Sequence, residues 1–594
     1  MTKKIFINAI IIFLVFFMIL AFSCAKVLYK PSLSFGPSEA KWVEKLMAKM
    51  TLEEKIGQMI SCPYSGRFFN RDSENIKSLE SLVKKRKIGS LILYGGDVYE
   101  TAYLTNTLQK MAKIPLLIAS DLERGLGNQI EGATQFPPLM ALGAIGAEEQ
   151  AYFMGRATAV EARAIGIHTT YSPVVDVNIN PENPIINVRS FGENPEQVSR
   201  LAAAFIKGCQ ENGLMATAKH FPGHGDTDVD SHSELPKVTG DLERLERVEL
   251  FPFRRAIEAG VSVIMSAHLQ LPALDSTPNL PATLSPRILT ELLRKKLGFK
   301  GIIVTDAMTM GGITTLYSPG DAALKAVQAG VDMILKSPQP EEVIDFLIQA
   351  VRRGEVSEGR INESVKRILE AKARLGLHKN KLVNIDSLDS TIASNEHLHL
   401  AEQMFENSIT LVKNSNQVLP LTDSEQKIAV FSLSSDPGGY FAGRTFIREV
   451  EKRSPELISF YADAFTGKEF LQEGMENASE VDVIVFALFS ARRARKGSVD
   501  LNLNHIQMVQ EAAASSTPVV VISFGSPYFL RHFPEVDSYL CVYRWSSEAQ
   551  VTATKALFGE IDIKGCLPVS FPGLYPLGHG LSLLKRENTK NSFQ

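Results

Sequence analysis

The 594-residue chain is poor in cysteine, with only Cys24, Cys62, Cys209, Cys541 and Cys566. They are scattered and odd in number, and no Cys-x-x-Cys pair occurs. That argues against a cysteine-built zinc site, a redox motif or a disulfide framework. Neither sign of charge is in excess. The formal net charge is -3, so nothing in the balance draws the chain to nucleic acid or to an anionic membrane surface. It has no GxxxxGK[ST] loop and no GxGxxG, so nucleotide binding is not indicated. It shows no internal repeat at short period.

What is present begins at the N-terminus. Lys3 and Lys4 precede an apolar run from Ile5 to Phe22, followed by small residues. This is the layout of a secretory signal over residues 1–23, although the run is also just long enough to span a bilayer. Ser23-Cys24 resembles the cleavage and lipidation site of bacterial lipoproteins, but Leu20 stands four places before the cysteine rather than three and Phe22 is bulky. Each version implies an exported protein that touches the membrane only through an N-terminal lipid or signal anchor. The remainder is ordinary globular material, with 45% apolar and 22% charged residues in the whole chain.

From residue 38 to 378, short apolar runs alternate with helical patterns. The runs are Ile88–Tyr94, Ile114–Ser120, Thr169–Val175, Met215–Lys219, Ser262–Ala267, Gly301–Thr305 and Val331–Lys336. They are apolar on both faces, as buried parallel strands should be. The helical patterns include 149–165, 195–211, 242–259 and 286–297. Repeated β-α units over this length predict a (β/α)8 barrel or a doubly wound sheet. One regularity favours the barrel: the runs lead into Asp97, Asp121, Asp176, His220, His268 and Asp306. Barrels gather their chemistry at the C-terminal ends of strands, whereas any single one of these aspartates could equally be a helix cap. Residues 379–400 read as a polar linker. A second α/β unit over 401–583 has strand candidates 427–434, 457–464, 481–489, 518–525, 539–545 and 567–571, which predicts an α/β/α sandwich with a mostly parallel sheet. Residues 584–594 read as a frayed tail.

The densest chemistry lies in Lys219-His-Phe-Pro-Gly-His-Gly-Asp-Thr-Asp-Val-Asp-Ser-His232. Pro222, Gly223 and Gly225 forbid a continuous helix, so this is a shaped loop. Three readings compete. A metal site is weakened because His220 and His224, four apart, converge on an ion when they share a helix. A structural role, with polar groups satisfying a convoluted backbone, suits members such as Asp226. Acid–base work suits Asp230-Ser231-His232, because residues two apart lie on one side of an extended stretch. There a carboxylate can orient an imidazole and stabilise its protonated form.

These motifs, taken together, resemble the β-N-acetylglucosaminidase branch of glycoside hydrolase family 3. The likeness rests on Lys219–Gly225 with Asp230-Ser-His232, on Met50–Met59, on Asn187-Val-Arg-Ser-Phe-Gly192 and on Gly301–Met310. In the second unit it rests on Ser408–Asn414, Leu419-Pro-Leu421 and Tyr575–Gly580. It implies an N-terminal TIM-like (β/α)8 barrel with a C-terminal sandwich. It also implies a retaining exo-enzyme that needs neither metal nor cofactor and acts on peptidoglycan fragments, muropeptides or chitin oligomers. Asp306 is implied as nucleophile, and His232, assisted by Asp230, as the proton donor. Asp121, Arg189, Lys219, His220 and Asp176 are implied to hold sugar hydroxyls and the acetamido group. His268 is expected to touch the substrate or to brace what does. Asp121-Leu-Glu-Arg-Gly-Leu-Gly departs from the commoner Asp-x-Glu-Gly-Gly, so Arg124 alters one edge of the pocket. The alternatives are a phosphorylase, a β-glucosidase or a silent wall-binding lipoprotein. The basic stretch Arg492, Arg493, Arg495 and Lys496 reads as a solvated face or as a contact for an anionic part of the substrate. No feature bears on oligomeric state.

Overall fold

The computed structural model describes residues 35–67, 70, 72–227, 229, 231, 234–421, 426–490 and 501–586. The expected signal segment, Asp228, Asp230, His232, the basic stretch at 491–500 and most of the tail lie outside these residues. Among the described residues, no helix is long and apolar enough to cross a membrane.

Eight strands build the first half: β1 Ile60–Gly66, β2 Ser90–Gly96, β3 Leu117–Ser120, β4 Thr169–Thr170, β5 Thr217–Phe221, β6 Val263–Ser266, β7 Ile302–Val304 and β8 Ile334–Leu335. Parallel ladders run in the order β4-β3-β2-β1-β8 and β5-β6-β7. Isolated parallel bridges Thr169–Met215 and Val174–Lys219 join β4 to β5, and Val304–Met333 joins β7 to β8. The strand order is therefore circular, as the TIM-like reading requires.

β1 is absent from the sequence-derived runs. Its residues, Ile-Ser-Cys-Pro-Tyr-Ser-Gly, carry serines and a proline, and it is held as a strand by parallel pairing to β2 and β8 on either side. The long helical pattern at 242–259 is in fact two helices, Leu242–Arg247 and Leu250–Glu258. Pro252 has no N–H to return to the carbonyl of Val248, so the turn between them cannot close. Asn194 caps the helix Pro195–Glu211, its Oδ1 accepting from the N–H groups of Glu196 and Gln197 at 3.0 and 2.9 Å. That helix packs very closely on Glu148–Ala164. A Cβ on Gly208 would stand 2.1 Å from the Tyr152 carbonyl oxygen, so no larger residue fits there.

The second half is a six-stranded sheet of β9 Thr410–Asn414, β10 Ile428–Ser434, β11 Leu457–Ala462, β12 Val483–Ser490, β13 Val519–Gly525 and β14 Ser538–Cys541. Its order is β11-β10-β12-β13-β14-β9, parallel except for β9 against β14. Alternation along β10 explains the layers. Ala429, Phe431 and Leu433 enter one core with the helices Lys468–Asn477 and Leu503–Ala513, while Ile428 and Val430 enter the other with Arg444–Glu451 and Ser547–Leu557. The expected strand at 567–571 does not form. Pro568 removes a ladder donor, and the segment instead crosses to the barrel, where its Pro568 carbonyl accepts from Glu193 N–H at 3.0 Å.

The halves are welded rather than strung together. The short helix Leu139–Ile145 is buried along nearly its whole length, and its Met140, Ala141 and Ala144 belong to the second unit's core. Asn178 donates to the Tyr528 hydroxyl at 2.8 Å, and Glu193 accepts from both N–H and hydroxyl of Ser570. The stretch at 379–400 is itself strapped to the barrel. Leu388 and Ile392 enter the barrel core, and buried Glu161 holds the His397 ring at 2.8 Å, the Ala393 N–H at 3.0 Å and the Thr134 hydroxyl at 2.5 Å.

Candidate active site

A cavity of about 630 Å3 opens where the C-terminal ends of the barrel strands face the second unit. Tyr94 of β2, Asp121 after β3, Lys219 and His220 of β5, Asp306 after β7 and Lys336 after β8 line the barrel side. A bulge explains how two consecutive residues of β5 reach one cavity. Lys219 pairs with Met265 and Phe221 with Ser266, so His220 is skipped by the ladder.

The floor is a closed network of opposite charges. Lys219, only 2% exposed, donates to Asp121 at 2.9 Å and lies 2.8 Å from Glu123. Glu123 also takes a two-pronged contact from Arg189, at 2.6 Å from Nη2 and 2.9 Å from Nε. Burial works against the Glu123 carboxylate, but Arg189 and Lys219 outweigh it and hold the carboxyl well below its usual range. Burial likewise disfavours charge on Lys219, and Asp121 and Glu123 reverse that and raise its pKa. The Arg189 guanidinium also sits 3.4 Å from Nε2 of His220.

Asp306 follows the last residues of β7, and its Oδ1 accepts from the N–H of Ala307 at 2.7 Å. Burial alone would push its carboxyl up. The fields of His220 and His268, the Ala307 N–H and Lys219 together pull it down from 3.8 to about 2. The cavity thus presents an ionised, partly exposed carboxylate at a strand end.

Asp176, expected to hold sugar, and His268, expected to touch the substrate or to brace what does, both stand behind the wall. Asp176 is 1% exposed and does not line the cavity. Its carboxylate is fully occupied, by His220 Nδ1 at 2.7 Å, by the His220 N–H at 3.2 Å and by the His224 N–H at 2.7 Å. It aims the His220 ring rather than holding sugar. His268 is also buried, with its nitrogens 2.9 Å from the Thr283 hydroxyl and 3.2 Å from the Ala307 carbonyl oxygen, so it braces the Asp306 turn. Asp97, another strand-end aspartate, is a helix cap accepting from Glu100 N–H at 2.9 Å.

The loop after β5 is anchored by His224, to which the sequence assigns no role, and by Asp226, for which it suggests a structural one. His224 lies 2.8 Å from the Thr227 hydroxyl and 2.9 Å from the Ser231 hydroxyl. Both ring nitrogens are engaged, which leaves neither for a metal, and burial followed by His220 lowers its pKa to about 4, so the ring is neutral near pH 7. Asp226 is ion-paired to Arg244, which also holds Glu249 at 2.9 Å. Ser231 lines the cavity; its neighbours Asp230 and His232 lie outside the described residues.

Sequence reasoning missed Glu123, although it stands two places past Asp121 at a strand end. It also missed the far wall, built by the second unit from Ser490, Phe524, Gly525, Tyr543, Arg544 and Trp545. Nothing in the local sequence of these residues signals a site.

Comparison with known proteins agrees with this geometry. Residues 51–371 match the glycosyl hydrolase family 3 N-terminal domain, and residues 409–589 match its C-terminal domain. A β-N-acetylglucosaminidase/β-glucosidase of Cellulomonas fimi is 30% identical over 545 residues, 89% of this chain and 95% of that protein. The solved β-N-acetylglucosaminidase of a Paenibacillus species is 32% identical with a TM-score of 0.78, covering 88% of this chain and 99% of that one. A solved β-glucoside phosphorylase is 27% identical with a TM-score of 0.80, covering 91% of this chain and 97% of that one. The chain belongs to glycosyl hydrolase family 3.

Proposed function

We propose that this enzyme is a retaining exo-β-N-acetylglucosaminidase that releases terminal β-linked N-acetylglucosamine. The observation that carries the reading is the ionised carboxylate of Asp306, held to about 2 at a strand end of a polar cavity. In the proposed reaction Asp306 attacks the anomeric carbon, the glycosidic C–O bond breaks, and the leaving oxygen takes a proton from His232. Water then gives a proton back to His232 and displaces Asp306, so the sugar leaves with its original configuration. Asp230 orients the ring and stabilises its charged form.

The need for such a histidine has support in the charge network. Glu123 is locked by Arg189 and Lys219, and Asp121 is paired to Lys219. Neither is a free acid for the leaving group. Asp121, Arg189, Lys219 and His220 would hold the sugar hydroxyls and acetamido group. The proposed substrates are peptidoglycan fragments or chitin-type oligosaccharides, met outside the cytoplasm after export, with the chain anchored by lipid on Cys24. Loss of labelled fatty acid incorporation in Cys24→Ala is the outcome expected of that anchor.

The test is a panel of aryl β-N-acetylglucosaminides and β-glucosides assayed with and without phosphate. Free N-acetylglucosamine, released first as the β-anomer, is the expected product. Release of the α-anomer first would overturn retention. Predominant glycosyl phosphate would favour a phosphorylase, the activity for which one solved relative is named. An inactive wild type would favour a binding role alone.

A further inference from the structure

The cavity holds a pair of cations that the charge network does not use. Arg124, from the segment after β3, and Arg544, from the segment after β14, line it from opposite units. Each has its Nε buried without a hydrogen-bond partner. Neither side chain makes a hydrogen bond or ion pair among the described residues, in contrast to Arg189 and Lys219. Each is partly buried. They are close enough that Arg124 disfavours the charge on Arg544, which burial first and Arg124 second push down to about 9. The carboxylate that acts on Arg124, that of Glu123, is already shared by two other cations. Glu548, which acts on Arg544 through space, is exposed on its helix.

Two like charges on one cavity, neither held in a hydrogen bond or ion pair among the described residues, raise the energy of the empty enzyme. A bound anion relieves that cost and gains charge-assisted hydrogen bonds from two guanidinium forks. The position matters as much as the charge. Arg124 follows β3 and Asp306 follows β7, four steps apart whichever way the circular order of eight strands is followed. Arg124 therefore enters from the side of the barrel mouth opposite the carboxylate that marks the anomeric carbon, and Arg544 lines the same cavity from the second unit.

We propose that Arg124 and Arg544 form an anion subsite that receives a negatively charged substituent on the terminal sugar itself, a carboxylate or a phosphate or sulfate ester, at the end remote from the scissile bond. This rests on the reading of the cavity as a terminal-sugar pocket. It makes the second unit a specificity element, because half of the subsite comes from it.

The experiment compares kcat/KM of the full chain on 4-nitrophenyl N-acetyl-β-glucosaminide with that on its 6-sulfate, its 6-phosphate and its 3-O-lactyl ether. The wild type is expected to favour at least one charged sugar over the neutral one, with that ratio falling as salt rises. In Arg124→Gln/Arg544→Gln the ratio should drop by about tenfold, with Arg544→Lys retaining part of it. Equal unfolding temperatures for the variants would show that folding is intact. Turnover of the neutral glycoside by wild type reads the proposed activity separately, so its absence would condemn that activity and not merely the subsite. A wild-type ratio of one or less for all three sugars would overturn the subsite, as would an unchanged ratio in the double variant. Loss confined to a glycoside with a charged leaving group, or to transfer onto free phosphate, would move the anion to the reacting end and also overturn it.

Discussion

The two walls of the cavity are made differently. Apart from Arg124, the barrel wall is a set of polar groups held by one another: Lys219 with Asp121 and Glu123, Arg189 with Glu123, and the His220 ring by Asp176 behind it. The opposite wall is a serine, a glycine, three aromatics and one arginine whose Nε has no hydrogen-bond partner. Both are strand-end surfaces of α/β sheets, yet only the first has its charges fixed in register with a reacting carboxylate. The difference assigns labour. The barrel wall should govern the chemical step, and the opposite wall should govern what is admitted.

Substitutions can break that division. Asp306→Ala should lower kcat by roughly 10^4-fold or more, measured on an aryl glycoside, since nothing else in the cavity replaces the attacking group. Glu123→Ala leaves Arg189 and Lys219 buried without their shared partner, and should cost about 3–5 kcal/mol of stability in denaturant unfolding. Asp306→Asn should alter the acid limb of stability. The native carboxyl is depressed from 3.8 to about 2, so it favours the folded state above pH 4 and loses that contribution as pH falls toward 2. The wild type should thus lose about 2 kcal/mol more than the variant across that window, read as unfolding free energy against pH. Trp545→Ala should raise KM by about tenfold while moving kcat much less, as expected of an aromatic surface that only positions the sugar. A kcat loss as large as that of Asp306→Ala would erase the distinction between the walls. Tyr528→Phe, which removes the hydroxyl accepting from Asn178 at 2.8 Å, should cost only about 1 kcal/mol and leave both kinetic constants near wild type.

Much of the barrel wall was legible in the sequence because function there sits on regular elements. Short apolar runs ending in Asp121, His220 or Asp306 announce both the strand and the site. The same rule overreached at Asp97, a cap, and at Asp176, a support, because a strand-end carboxylate reads alike whether it faces a cavity, a helix or another side chain. β1 escaped notice because its identity comes from neighbours on both sides and not from its own composition. The opposite wall was illegible for a related reason. Gly525 and Arg544 acquire meaning only when a second sheet is laid over the first, and no local pattern encodes that placement. The resemblance to family 3 carried the nucleophile assignment but was silent on Arg124, where the chain departs from the common motif.

The helix Leu139–Ile145 sets a limit on how this protein can be divided. It is apolar nearly throughout and shared between two cores. A chain cut after the barrel would turn Met140, Ala141 and Ala144 toward water as one sticky patch. Such a fragment should self-associate, so solubility, before catalysis, is what the second unit supplies to the first.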